Sequence, residues 1–107
     1  MRANEKWKRF PNDKTLMISS YGRVFNRLTR KFITGTIQRT SNRQLIRFPQ
    51  GYLHRMVIAT FHGPIGDTER IIFQNYNTFD CSTYNLKVVS LQEAKNHLKK
   101  EKITAGL

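Results

Sequence analysis

The chain has 107 residues, enough for one small domain with a single core and too few for two independently folded ones. With 38% hydrophobic and 11% aromatic residues it has enough apolar material to fold, which excludes a globally disordered protein. Nineteen Lys and Arg against seven Asp and Glu give a formal charge of +12. So many like charges repel one another unless a polyanion neutralises them, so we expect nucleic acid as the partner.

The first half of the chain predicts short antiparallel strands, because runs of β-forming residues alternate with Gly and polar turn residues. The predicted elements are, in chain order, a strand at 16–18, a turn at 20–22, strands at 23–26, 32–34 and 36–38, a turn at 40–42 and a strand at 44–48. Arg39, Arg43 and Arg47 occur between apolar residues of these strands. We therefore expect the sheet to pack one face on the core and to turn an arginine-rich face outward. A β-ribbon of this kind can enter the major groove of DNA.

The second half changes its period after Gly51. Apolar residues at helical spacing predict a short amphipathic helix from Leu53 to Phe61, ended by His62-Gly63-Pro64. Strands are predicted at 70–73 and 86–89, and Ser90 followed by Glu93 is a capping-box pattern that begins a final helix. The sequence thus predicts an α+β fold with an N-terminal antiparallel β-sheet, a short helix and a ββα-like remainder.

The cationic residues are concentrated where acids are missing, since no Asp or Glu occurs between Asp13 and Asp67. Most are Arg, whose planar fork pairs bidentately with phosphate or with the O6 and N7 edge of guanine. This favours a DNA-contacting surface over a solvated basic face or a membrane-attracted one, because no basic amphipathic helix is present. The predicted DNA-binding residues are Lys14, Arg23, Arg27, Arg30, Lys31, Arg39, Arg43, Arg47 and Arg55.

Three of the singled-out residues have structural alternatives. Arg23 and Arg55 lie inside motif segments and can brace the fold through backbone hydrogen bonds instead of touching DNA. Trp7 can stack on bases, but a small domain with one Trp more often buries it, so we expect Trp7 in the core.

Other classes of protein are excluded by composition. No apolar stretch approaches the roughly 20 residues that span a bilayer, and residues 1–10 lack the apolar run of a signal peptide, so we expect no membrane partner and a cytoplasmic location. The single Cys81 can form no intramolecular disulfide, and the usual zinc fingers need a second cysteine. We therefore expect no cofactor, and stability from packing.

Several short motifs resemble those of the HNH homing endonucleases of phages and introns, which join a strand-rich DNA-binding module to an HNH ββα unit. The matching segments are Trp7, Ile18-Ser-Ser-Tyr-Gly-Arg-Val24, Gly51-Tyr52, Leu53-His-Arg-Met-Val57 with Phe61, and Asn85-Leu86 followed by Val89, Glu93 and His97. The resemblance covers nearly the whole chain. It implies a single domain over residues 1–107, with a strand-rich DNA-reading part at 7–52 and an HNH-like part at 53–102.

The departures from the family pattern bear on catalysis. An HNH nuclease activates water with a His and holds a divalent metal with an adjacent Asp or Asn and a polar residue of the final helix. Aligned on Asn85-Leu86, these positions fall on Ile72, Phe73 and Ala94. Such side chains have no lone pair for a metal and no proton to exchange, so the resemblance implies a degenerate unit with no catalytic residue, no metal and no enzyme activity.

The resemblance therefore implies a domesticated endonuclease of phage or phage-satellite origin, acting on DNA in a bacterial host. We expect a sequence-specific double-stranded DNA-binding protein, monomer or homodimer, that represses transcription by occupying a promoter. One alternative is an active nicking endonuclease with a rebuilt metal site, drawing on His54, His62 and His97 and the acids Asp67, Glu69 and Asp80. Another is an accessory nucleic-acid-binding protein with little sequence preference.

Overall fold

The computed structural model describes residues 4–40 and 43–105, with side chains as far as residue 100, and arranges them in three antiparallel sheets and two helices. In chain order the elements are β1 (Trp7–Phe10), β2 (Asp13–Ser19), β3 (Val24–Asn26), β4 (Lys31–Ile33), β5 (Thr36–Arg39), β6 (Gln44–Phe48), β7 (Gly51–Tyr52), α1 (Leu53–Phe61), β8 (Glu69–Phe73), β9 (Leu86–Ser90) and α2 (Leu91–Ala105). Within these residues, neither helix is long and apolar enough to cross a bilayer.

The first sheet is a meander with strand order β1-β2-β3-β4. The turn between β2 and β3 is held by Ser19, whose hydroxyl accepts the backbone N–H groups of Tyr21 and Arg23 at 3.1 and 3.0 Å. Gly22 has a φ of +82°, and a Cβ there would lie 3.0 Å from the carbonyl oxygen of Cys81, so both backbone angle and space require glycine. The motif at 18–24 is therefore explained by turn geometry.

The second sheet has strand order β5-β6-β7 and leads directly into α1. The first turns of α1 bury Leu53 and His54, and Met56, Val57 and Ile58 follow on the same side. The helix ends where the N–H groups of His62 and Gly63 both reach the carbonyl of Ile58, at 2.8 and 2.9 Å. Gly63 takes a φ of +103° there, which is the usual reason for glycine just after a helix.

The remainder is a ββα unit formed by β8, β9 and α2. β8 and β9 pair antiparallel from Glu69 opposite Ser90 to Phe73 opposite Leu86. The Ser90 hydroxyl accepts the N–H of Glu93 at 3.2 Å, so the predicted capping box begins α2. In the intervening loop the buried Asn85 amide donates to the Asp80 carbonyl at 2.9 Å and accepts the Asn75 N–H at 2.8 Å, which explains the asparagine of the Asn85-Leu86 motif.

The hydrophobic core lies between the first sheet, α1, the second sheet and the ββα unit. One buried cluster joins Phe10 and Ile18 of the first sheet to Leu45 of the second, Val57 of α1 and Phe73 of β8. Because this cluster draws on both halves of the chain, the two halves pack as one body. The division at residue 52 stays a prediction.

The predicted α+β class is confirmed, with α1 and β6 at their predicted bounds. Three expectations need correction or lie outside the described residues. The N-terminal strands form two sheets, and β1 and β7 were not predicted because their sequences are too short or too charged to show alternation. Trp7 was expected in the core but is half-buried on the outer face of the first sheet. The predicted turn at 40–42 lies largely outside the described residues, since the structure describes only Thr40 of it.

Candidate nucleic-acid interface

Four of the predicted DNA-binding residues surround the β3–β4 turn, and all are exposed. We call Lys14, Arg27, Arg30 and Lys31 the turn cluster. The turn is rigid because the Asn26 side chain accepts the N–H groups of Leu28 and Thr29 at 2.8 and 3.1 Å. Arg27 donates from Nη1 to the carbonyl of Lys14 at 3.1 Å, which ties the start of β2 to this turn.

A second group lies around α1 and the entry to β6, where Arg43, Arg55 and Arg70 line a cleft of about 520 Å³ with His54. Arg47 joins Arg55 along the adjoining hollow, and its guanidinium lies over the ring of Tyr52 at 4.9 Å. Arg43 lies over Phe73 at 5.5 Å. We call Arg43, Arg47, Arg55 and Arg70 the arginine cleft. Arg70 was missed from the sequence because it follows Glu69, outside the acid-free interval.

The arginine cleft keeps its positive charges without acidic partners. In the part of the chain that the structure describes, none of its four guanidinium groups forms an ion pair. Asp67 and Glu69 line the same cleft, but Arg70 donates to their backbone carbonyls, both at 2.7 Å, and the Glu69 carboxylate accepts the N–H of Gly66. Unpaired guanidinium groups in a concave surface suit the phosphates of a nucleic acid.

His54 lies at the floor of this cleft and is buried between aromatic rings, 5.8 Å from Tyr52 and 5.2 Å from Phe73 by ring centroids. Burial, followed by the charges of Arg43 and Arg55, lowers the pKa of His54 to about 4. His54 is therefore neutral at pH 7, and the charge of the cleft comes from its arginines.

Arg23 occupies a different environment from the other predicted residues. Its Nε and Nη2 donate to the two carboxylate oxygens of Glu5 at 2.8 and 2.6 Å, and the Glu5 side chain is fully buried. The hydrogen bond to Glu5 raises the pKa of Arg23. The structure thus places the Arg23 side chain in an ion pair that braces the fold, where the sequence had suggested backbone hydrogen bonds, while its DNA contact stays a prediction.

The expected single row of outward arginines is wrong for β5 and β6. Thr36 lies opposite Arg47, and Arg39 lies opposite Gln44, so Arg39 and Arg47 point to opposite faces of this hairpin. The face of Arg47 also carries the buried Leu45. Arg39 stands on the fully exposed β5 and does not join the arginine cleft.

The positions aligned with the family's catalytic residues line an apolar cavity of about 170 Å³. Ile72, Phe73 and Ala94 form part of its wall with Leu91 and Leu98, and Arg43, Arg70, Lys95 and His97 also line it. The His97 ring nitrogen Nε2 lies 2.8 Å from the Phe73 carbonyl, to which it donates, and the ring stacks on Tyr76 at 4.1 Å. Among the described residues, no group of three or more His, Cys, Asp or Glu side chains is placed to hold a metal ion.

Comparison with solved structures identifies the fold. The structure is similar to that of the HNH homing endonuclease I-HmuI, with a TM-score of 0.65 and 15% sequence identity over 90% of this chain. The I-HmuI structure is described as one of DNA binding and cleavage. The match spans 59% of the I-HmuI chain. No protein-family model matches the sequence, and no curated protein matches it significantly. The HNH-homing-endonuclease-like fold implied by the short motifs is therefore confirmed.

Proposed function

We propose that this protein binds double-stranded DNA at a specific sequence and represses transcription by occupying a promoter, without cutting the DNA. The observation that carries the proposal is the arginine cleft, where Arg43, Arg55 and Arg70 line one concave surface and Arg47 the adjoining hollow, none of them in an ion pair among the described residues, on a fold similar to that of an endonuclease described as binding DNA. Phosphate contacts from such groups position a duplex, and any that reach base edges in the groove give specificity.

The proposal that no DNA is cut rests on the apolar cavity. Hydrolysis of a phosphodiester by an HNH unit needs a base and a metal ligand set, and the aligned side chains at 72, 73 and 94 supply neither. His97 is already engaged with Phe73, and His54 is buried and neutral. A bound protein that leaves its site intact blocks polymerase by occupancy alone, so no further domain is needed for repression.

Competition between a genomic fragment that the protein footprints and random duplex tests specific binding. We expect the footprinted duplex to compete at least a thousandfold better, which is the lower end for specific DNA-binding proteins. A reporter gene behind the footprinted promoter should fall in expression when the protein is present. Equal competition by random duplex would favour the accessory role with little sequence preference.

Incubation with supercoiled plasmid carrying the footprinted site tests the absence of cleavage. With Mg²⁺ or Mn²⁺ added, we expect the plasmid to remain supercoiled over the period in which an active nuclease relaxes it. Metal-dependent nicking that is lost in His54→Ala or His97→Ala would establish the rebuilt-site alternative instead.

A further inference from the structure

The outer face of the first sheet carries apolar and aromatic side chains where a solvent-facing sheet normally carries polar ones. Antiparallel partners share a face, and the register aligns one residue from each strand here, namely Arg9, Met17, Phe25 and Phe32. Trp7, two residues before Arg9, lies on the same face and contacts both phenylalanines at centroid distances of 6.5 and 5.9 Å. We call Trp7, Phe25 and Phe32 the aromatic platform.

The aromatic platform forms the wall of a hollow of about 480 Å³, which also includes Met17 and Arg23. This volume falls within the roughly 300–1,000 Å³ of ligand sites. The Arg23 guanidinium lies 4.6 Å from the ring centroid of Phe32 and 5.3 Å from that of Trp7. Glu5 fixes it through Nε and Nη2, and no hydrogen bond in the described part of the chain uses its Nη1. The hollow therefore combines ring faces with a fixed donor.

These rings do not serve the core, which is formed on the opposite face by Phe10, Leu16, Ile18 and Val24. Phe32 is 57% exposed and would gain from being covered. The charges nearby select the occupant. Glu5 is buried and paired with Arg23, and Arg9 on the same face is exposed, so the face attracts anions. A second copy of this chain, with its charge of +12, would bring like charges together.

We propose that the aromatic platform binds unpaired bases of single-stranded DNA. Exposed ring faces stack on bases of any sequence, and cations beside them neutralise the backbone. Arg23 donates from Nη1 to the acceptor edge of the stacked base, as guanidinium groups do with guanine O6 or N7. Apart from Arg23 the hollow is lined by Trp, Phe and Met, which carry no oxygen acceptor that would select a ribose hydroxyl, and the choice of DNA as the strand rests on the proposed function.

This site lies on the first sheet, whereas the arginine cleft is formed by β6, α1 and β8, so the two are separable by mutation. A duplex hides its base faces by stacking, and only an unpaired strand presents them to the rings. Selectivity for single strands over duplex is therefore the property that identifies the platform.

Trp7 is the only tryptophan of the chain, so its fluorescence reports directly on the platform. We expect a short single-stranded DNA oligonucleotide to quench Trp7 emission saturably. Phe32→Ala should weaken single-strand binding about ten- to hundredfold, the cost of losing one stacking partner, and leave duplex affinity within about twofold. Phe32→Tyr should bind like the parent. Tyr84→Ala is the matched control, because Tyr84 is 66% exposed and lies outside the platform.

Four results would overturn the assignment. They are single-strand binding that leaves Trp7 emission unchanged, equal loss of single-strand and duplex binding in Phe32→Ala, tighter binding of RNA than of DNA of the same sequence, and a dimer in sedimentation that Phe32→Ala dissociates. Retained duplex specificity with no single-strand binding would refute the platform and leave the proposed repressor intact. Single-strand binding without duplex specificity would support the platform and refute the proposed repressor.

Discussion

The arginine cleft and the apolar cavity share a border, since Arg43, Arg70 and Ile71 line both. On one side of this border lies the charged cleft, where Arg55 lines the wall with the buried, neutral His54. On the other side Ile72, Ala94 and neighbouring apolar side chains make up much of the cavity wall, with Thr78, Lys95 and His97 among them. Two adjoining surfaces of one small fold thus differ in their lining, one mainly charged and the other mainly apolar between shared arginines.

The elements that hold the ββα fold together are distinct from the side chains at positions 72, 73 and 94. The unit is held by the β8–β9 pairing, the Ser90 cap and the buried Asn85, none of which requires a polar side chain at positions 72, 73 or 94. Packing and backbone hydrogen bonds preserve the architecture, whereas the side chains at the rim decide what it can bind. The following predictions test whether the two surfaces are as independent as they look.

Removing three charges from the arginine cleft should have the largest effect. The triple substitution of Arg43, Arg47 and Arg55 by Ala should lower duplex affinity at least a hundredfold and reduce the log-log salt slope by about 2.7, or about 0.9 for each phosphate that is no longer neutralised. Titration of labelled duplex at several salt concentrations measures both quantities.

The matched control removes the same charge from elsewhere, by Ala at Lys87, Lys95 and Lys99, which are exposed on β9 and α2. We expect this variant to keep most of its affinity. Loss of binding in the lysine variant with retention in the arginine variant would place the duplex on the α2 side.

Acid should destabilise the floor of the cleft through His54. Because the pKa of His54 is lowered from 6.5 to about 4, its contribution to stability is present above pH 6.5 and is lost as the pH falls towards 4. The full loss is about 3 kcal/mol in the free energy of unfolding. Urea unfolding at a series of pH values measures it.

His54→Gln supplies the comparison, since it should flatten the stability profile between pH 6.5 and 4. Asp13, whose pKa is lowered from 3.8 by hydrogen bonds from Thr15, loses its contribution at lower pH. An unchanged slope in His54→Gln would show that another group is responsible.

Single arginine substitutions should separate the two faces of the β5–β6 hairpin. If Arg47 and Arg43 contact the duplex from the cleft, each change to Ala should cost on the order of 1–3 kcal/mol for a base contact, or lower the salt slope by about one for a phosphate contact. Arg39→Ala, on the opposite face, should change neither. A larger effect of Arg39 than of Arg47 would place the duplex on the β5 face.

The smallest effect is expected from the helix cap of the ββα unit. Ser90→Ala removes the hydrogen bond to the N–H of Glu93 and should lower stability by about 1 kcal/mol, measured by thermal or urea unfolding. Duplex affinity should stay within experimental error, because the cap only supports the fold. Ser90→Asp, which restores a capping oxygen, should recover the loss. A fall in affinity without a fall in stability would mean that Ser90 contacts DNA.

Local pattern was enough to place most elements. The helical spacing from Leu53 to Phe61, with Gly63 behind it, fixed α1 at both ends, and the apolar alternation at 44–48 fixed β6. The acid-free interval also identified the whole turn cluster and three of the four arginines of the arginine cleft, since charge can be read without coordinates. Periodicity, capping and charge are properties of neighbouring residues, and these the sequence by itself determined.

Only the tertiary structure decided which of these residues meet. Arg70 joins Arg43 and Arg55 across a long interval of chain, while Arg39 is turned away from Arg47 by strand register. Side chains of a strand alternate between the two faces of the sheet, so the pairing of two strands decides which residues share a face. That pairing joins separate segments of the chain and cannot be read from one short stretch of sequence. In the first sheet, the register of β1 to β4 likewise places Trp7 on the outer face, beside Phe25 and Phe32. The opposite face of that sheet supplies the core residues.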